Sequence, residues 1–418
     1  MVEITTLENG IRVVSDKMQD VDTVSMGIWV GVGSSFEEEH LNGISHMLEH
    51  MAFKGTLTRT ALQIAEEIEN VGGIINAYTS RDVTAYYVKV LKDDAPMALA
   101  LLADIFQNST MDSTELAKEK GVIIQEIGQT YDTPDDAVFE YYQKTAYPNQ
   151  AFGRSILGTV EHVNRIGTDD LLAYMHKEYT NKRTIISAAG NVNHDWLVSE
   201  VQNLFSQMKQ NDGTKAEAPV YTSGEFRMKK DIEQVNIVVG APALSHTHPL
   251  YYAQSIFSTI LGGGMSSRLF QEIREKRGLV YSIYSFVSVY KKGGTFGVFA
   301  GTGEREASEL LPVVCDEVMG FASTVREEEI NRAKATLKAH LLMKNESSSA
   351  RCEANARMLD IYGRIPTKEE QIRLIEDVDT TKLQQVSKLL LEQTPTLACI
   401  GPIDYVMSYE AFKKRIDF

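Results

Sequence analysis

Positive charge is in short supply in this chain. Its 42 Lys and Arg face 57 Asp and Glu over 418 residues, a formal net charge of -15 at pH 7. That balance argues against the basic face that nucleic-acid binding needs and suits a protein that attracts basic ligands, although excess acid more often serves solubility. Cysteine is also scarce. Cys315, Cys352 and Cys399 are far apart and without paired spacing, so no disulfide framework or Cys-based zinc site is expected, only buried thiols in a reducing compartment. No apolar run approaches the roughly 18 residues of a membrane span. The first residues, MVEITTLENGIRVVSDKM, lack the basic start, apolar middle and cleavage site of a signal peptide. They run instead into the alternating Ile11, Val13 and Val14 of a strand. A cytoplasmic location is expected, or the mitochondrial matrix if a presequence has been removed.

A chain of 418 residues exceeds one ordinary core and predicts two or more domains. The polar, breaker-rich stretch around Asn211-Asp212-Gly213 reads as a linker. It divides the chain into a first domain over 1–206, a linker over 207–222 and a second domain over 223–418. The two halves share an order of elements. Apolar strands (24–30 and 235–240), helical stretches (42–53 and 249–261) and long helices (113–130 and 326–345) recur at a shift of about 210 residues, the scale of a duplicated domain. Clustered strands with helices alongside predict an α+β fold, each half a mostly antiparallel sheet packed with helices.

The motif that carries chemistry is His46-Met47-Leu48-Glu49-His50. In a helix His46 and His50 are i and i+4, so both imidazoles leave one face about a turn apart. Two neutral ring nitrogens so spaced can share a zinc ion, and Glu49 can reach a water on an open coordination position. Asn42 or Ser45 is expected to cap this helix and Gly55 to stop it. The competing description, a helix with two unrelated histidines and a solvated glutamate, leaves the inverted HxxEH order unexplained. A catalytic zinc takes a third protein ligand. Glu119 and Glu126 lie seven apart on one face of the next long helix. Glu126 could ligate while Glu119 holds a histidine N–H, although on pattern alone the stretch is equally an amphipathic helix with charged positions.

With 75 residues between His50 and Glu126, the sequence resembles the pitrilysin-like inverzincins. Within them it looks closest to the β subunits of mitochondrial processing peptidase and their bacterial relatives. The likeness is carried by Asn42-Gly43-Ile44-Ser45-His46, Glu49-His50-Met51-Ala52-Phe53-Lys54-Gly55-Thr56, Gly73-Ile74-Ile75-Asn76-Ala77-Tyr78-Thr79 and Ala151-Phe152-Gly153-Arg154. It continues in Leu261-Gly262-Gly263-Gly264-Met265 and Arg274-Glu275-Lys276-Arg277-Gly278-Leu279-Val280-Tyr281. The resemblance implies a zinc endopeptidase with one Zn2+ per chain on His46, His50 and Glu126. Glu49 would be the general base, and Glu119 would support the site by holding a histidine N–H. Arg274 and Tyr281 would donate to the oxyanion from the second half, with Arg277 a rival for the Arg role.

The strand bearing Asn76 and Ala77 would add an extended peptide by its edge, although on pattern alone it is a plain amphipathic strand. Asp136 and Glu140, i and i+4, would receive a substrate Arg near the cut; here the order is Asp then Glu where those subunits tend to carry Glu then Asp. The implied substrate is an unfolded or extended peptide held in a chamber between the halves. A homodimer of half-length chains is expected, with no nucleic-acid or membrane partner. The alternative is a non-catalytic or partner-dependent subunit of the same fold, acting as a peptide-binding scaffold.

Overall fold

The computed structural model describes residues 2–208 and 212–416; residues 209–211 of the expected linker lie outside the described residues. The chain forms two compact units. The first comprises Met1–Ile127, Ser155–Glu217 and Leu342–Ile365, and the second Gly128–Arg154, Ala218–Leu341 and Pro366–Phe418.

The first unit is built on a six-stranded sheet in the order β1-β2-β6-β3-β5-β4. Its strands are β1 (Val2–Thr6), β2 (Arg12–Lys17), β3 (Thr23–Val30), β4 (Ile74–Thr79), β5 (Thr84–Leu91) and β6 (Thr184–Gly190). All neighbours are antiparallel except β2 and β6. Side chains alternate across a strand, and β3 shows the consequence. Val24, Met26, Ile28 and Val30 enter the main core beside Met47, Leu48 and Met51 of the helix Ile44–Ala52. Trp29 enters a smaller cluster on the opposite face. A strand buried on both faces must be apolar nearly throughout, and Thr23–Val30 is.

The second unit repeats this plan with five strands in the order β7-β11-β8-β10-β9. They are β7 (Glu225–Lys229), β8 (Val235–Pro242), β9 (Val280–Val289), β10 (Gly294–Thr302) and β11 (Thr396–Gly401). Its single parallel pair, β7 with β11, stands where β2 with β6 stands in the first sheet. β8, β10 and β9 then match β3, β5 and β4, antiparallel throughout. Duplication is thus visible in connectivity even where residues differ. The helix Tyr251–Gly262, counterpart of Ile44–Ala52, carries no His, Asp or Glu.

The contiguous division at 206 and 223 is redrawn by two helices. Pro134–Ala146, from the first half of the sequence, packs Ala137, Val138, Tyr142 and Ala146 on Val238, Phe299, Ala398 and Ile400 of the second sheet. Ser348–Tyr362, from the second half, packs Cys352, Ala356 and Leu359 on Val14, Trp29, Ala85 and Ile185 of the first. Each sheet has two apolar faces, and its own half of the sequence covers only one. All three cysteines are free and buried. Burial pushes the Cys315 and Cys352 thiols up to about 12 and that of Cys399 to about 11. No described helix is long and apolar enough to cross a membrane.

Candidate metal centre

The histidines stand on the short helix Ile44–Ala52, whose start is unusual. Gly43 is its N-cap, with φ of 94° and no side-chain cap bond. A side chain there would be strained by that φ, and its Cβ would lie 2.8 Å from the Leu157 carbonyl oxygen. Neither Asn42 nor Ser45 supplies the cap oxygen. Glu37 does so from six to eight residues upstream: its carboxylate accepts from Gly43 N (2.8 Å), Ser45 N (2.9 Å) and Asn42 Nδ2 (3.0 Å). Glu37 is only 4% exposed. Burial raises its pKa, against the opposing pull of those donors. An acid run, Glu37-Glu38-Glu39, reads in sequence as a solvated turn, and nothing local marks its first member as the anchor of the next helix.

From this helix the two rings converge, centroids 4.5 Å apart. The long helix Ser113–Asp132 brings Glu126 to both. Its Oε2 lies 3.6 Å from His46 Nε2 and 3.7 Å from His50 Nε2. These three are the described group of His, Cys, Asp and Glu able to hold a metal, with ligand atoms all within 4.8 Å of one another. Ligands about 2.0–2.1 Å from a tetrahedral zinc lie about 3.3 Å apart, so the Glu126 separations suit that ion with small adjustments. The charge state suits it too. Burial, and then the neighbouring His50, lower the His46 pKa to about 4, leaving a neutral ring with a lone pair to offer at pH 7. His50 Nδ1 lies 3.0 Å from Glu119 Oε2, which directs His50 Nε2 toward Glu126. Glu119 is held in turn by Lys54 Nζ at 2.6 Å. Burial works against its ionised form, but the bonds from Lys54 and His50 outweigh it and lower the pKa. His46 Nδ1 is buried with no hydrogen-bond partner.

Glu49 leaves the same helix beside His50. Thr79 Oγ1, at the end of β4, donates to its Oε2 at 2.6 Å. Burial raises the Glu49 pKa, opposed by the Thr79 bond and by His50 and reinforced by Glu126. A raised carboxylate pKa makes a better proton acceptor near neutral pH. Lys54 and Thr79 were not singled out in sequence. Strand alternation could have found Thr79, since Ile75, Ala77 and Thr79 share the face of β4 toward the metal helix.

Among the described residues, β4 is an edge, paired only with β5. Asn76 is exposed, and its Oδ1 accepts the Ala77 N–H at 2.8 Å. The remaining expected residues lie in the second unit. Arg274 stacks over the rings of Phe270 (4.7 Å) and Tyr281 (5.5 Å), and Tyr281 is 78% exposed. Arg277 is instead engaged by Glu272 at 3.0 Å. Asp136, exposed, and Glu140, half-buried, stand one turn apart on Pro134–Ala146; burial raises the Tyr284 and Tyr131 phenols, and the nearby carboxylates, Asp135 and Asp136 at Tyr284 and Glu140 at Tyr131, add to it.

Residues 12–160 match the family model described as Insulinase (Peptidase family M16), and residues 165–337 that described as the Peptidase M16 inactive domain. The chain belongs to peptidase family M16. Among relatives of this M16 chain, an uncharacterised zinc protease of Bacillus subtilis is 36% identical over 404 residues, covering 96% of this chain and 98% of the relative. The β subunit of the mitochondrial processing peptidase of Bos taurus is 35% identical over 423 residues, covering 97% and 85%. Two solved structures share the fold. A protease from Helicobacter pylori has a TM-score of 0.89 at 22% identity, covering 96% of this chain and 99% of its own. A chain of complex III2 from Candida albicans has 0.88 at 21%, covering 100% of both.

Proposed function

We propose that this chain is a zinc-dependent endopeptidase acting on extended peptides. The observation that carries the proposal is the convergence of His46, His50 and Glu126 beside Glu49, a proton acceptor held at 2.6 Å by Thr79. When bound, one divalent ion per chain would supply an acidified water and a polarised scissile carbonyl. His46 and His50 would hold it through ring nitrogens, and Glu126 would add a carboxylate oxygen. Glu119 fixes the His50 ring through Nδ1. Glu49 takes the proton of the attacking water and returns it to the departing amine. The open edge of β4 at Asn76 and Ala77 receives the peptide backbone, which needs no particular sequence. Arg274 and Tyr281, neighbours in the second unit, are assigned by family resemblance as donors to the carbonyl oxygen as it gains charge.

Relatives named as zinc proteases of bacteria and as a subunit of mitochondrial processing peptidase support this reading. They fit a cytoplasmic or matrix location. Asp136 and Glu140 would favour Arg near the cut, and Asp136→Asn with Glu140→Gln should flatten any such preference. The simplest assembly is a homodimer. A partner-dependent subunit is the second reading, favoured by the word subunit in the name of the Bos taurus relative and by the complex III neighbour. Purified chain, assayed on a mixed peptide pool, decides between them. Cleavage that stops with a chelator and returns with added zinc supports the endopeptidase. A monodisperse, zinc-loaded chain that cleaves nothing in the pool contradicts it.

A further inference from the structure

Glu119 presents two carboxylate oxygens, and each has its own partner. Oε2 lies 3.0 Å from His50 Nδ1, and Oε1 lies 2.6 Å from Lys54 Nζ. The acid is 6% exposed, so solvent offers these oxygens little alternative. Lys54 stands four residues after His50, and its amide donates to the Met51 carbonyl at 3.1 Å. Its backbone is thus tied to the metal helix, although that helix ends at Ala52. The spacing sends His50 and Lys54 to one side, where a single carboxylate from Ser113–Asp132 meets both.

The second bond makes the first directional. The terminal torsion of a Glu side chain is broad, so a carboxylate with one donor can turn about it. A donor on each oxygen fixes the plane. With Oε1 committed to Lys54, Oε2 faces His50 Nδ1, and the ring turns its Nε2 toward Glu126, 3.7 Å away. The other ring has no such support: among the described residues, His46 Nδ1 has no hydrogen-bond partner. The orientation of the imidazole pair therefore leans on one carboxylate. We propose that Lys54 is a positioning residue of the metal centre, acting on His50 through Glu119, a proposal that rests on the metal site of the peptidase reading. An ion pair between two exposed ends contributes little. Here the acid end is buried and already engaged by a metal ligand, and outer partners of that kind change metal affinity by about 10- to 100-fold.

The test compares the full-length parent with Lys54→Met, Lys54→Arg, Glu119→Gln and the Lys54→Met/Glu119→Gln double variant. Zinc affinity is read by competition with a chromogenic chelator, and ligand geometry by the visible absorption of the Co2+-loaded proteins. Lys54→Met should weaken zinc binding about 10-fold or more and alter the Co2+ bands. Lys54→Arg, which keeps a cation within reach of Oε1, should return the affinity to about three-fold of the parent or better and restore the bands. Glu119→Gln should weaken binding at least as much as Lys54→Met. The double variant should lose nothing further, because Lys54 acts through Glu119. If Lys54→Met does not fold, Lys54→Gln takes its place with the same expectation. A neutral variant that binds zinc as the parent does, an Arg variant as weak as the neutral one, or losses that add in the double variant would each overturn the proposal. So would a parent that binds no zinc. Hydrolysis is a separate readout: a zinc-loaded parent that cleaves no peptide counts against the peptidase reading alone.

Discussion

Thr79 links the strand that would receive the peptide to the carboxylate that would take the proton, through a bond of 2.6 Å. Its hydroxyl donates to the Glu49 carboxylate. Removing it leaves a half-buried carboxylate to find another orientation. Thr79→Val is expected to lower kcat about 10-fold or more with KM little changed, by analogy with other supporting partners of reactive groups, while Thr79→Ser keeps most activity. Equal kinetics for all three proteins would remove Thr79 from the site. The close approach of His46 and His50 was legible in sequence because helix periodicity converts them into neighbours without reference to the rest of the fold. Glu126 became legible only with family spacing. Thr79 and Lys54 were not, since each acts across elements whose packing no local pattern specifies.

At the scale of elements, Arg268 and Glu329 form a buried, two-pronged ion pair in the second unit. Arg268 Nε and Nη2 reach the two Glu329 oxygens at 2.9 and 2.8 Å, and Arg326 N adds a bond at 2.9 Å. Burial opposes ionisation of Glu329, yet these donors hold its pKa at about 2. A carboxylate depressed on folding contributes stability that is complete above its ordinary value of 4.5 and fades as pH falls toward 2. Glu329→Gln should therefore cost about 2–4 kcal/mol at pH 7, read as a lower thermal midpoint. The gap from the parent should narrow between pH 4.5 and 2. A gap independent of pH would show that the pair contributes through packing alone. Strand and helix ranges near the site were legible because their periodicity is strong. The start of the metal helix was not, since its cap is the buried Glu37, held from the preceding turn, in place of the expected Asn42 or Ser45.

At the scale of the molecule, duplication was legible as a repeated order of elements, and the exchange of helices was not. Pro134–Ala146 and Ser348–Tyr362 show ordinary amphipathic patterns, and a pattern does not say which sheet a helix will cover. The exchange has a consequence for folding. A fragment of residues 1–217 lacks the helix that buries Val14, Trp29, Ala85 and Ile185. It should bind a hydrophobic dye and aggregate, and a supplied 342–365 segment should suppress both. A fragment that is monomeric and dye-silent alone would contradict that interdependence.

The central claim is that His46, His50 and Glu126 hold the metal while Glu49 moves the proton. The most direct measurement is zinc content and peptide hydrolysis, side by side, in the parent, Glu49→Gln and His50→Ala proteins. Glu49→Gln is expected to keep about one zinc per chain and lose hydrolysis by about 10³-fold or more, and His50→Ala to lose both. Full hydrolysis by Glu49→Gln, or a zinc stoichiometry unchanged in His50→Ala, would contradict the claim.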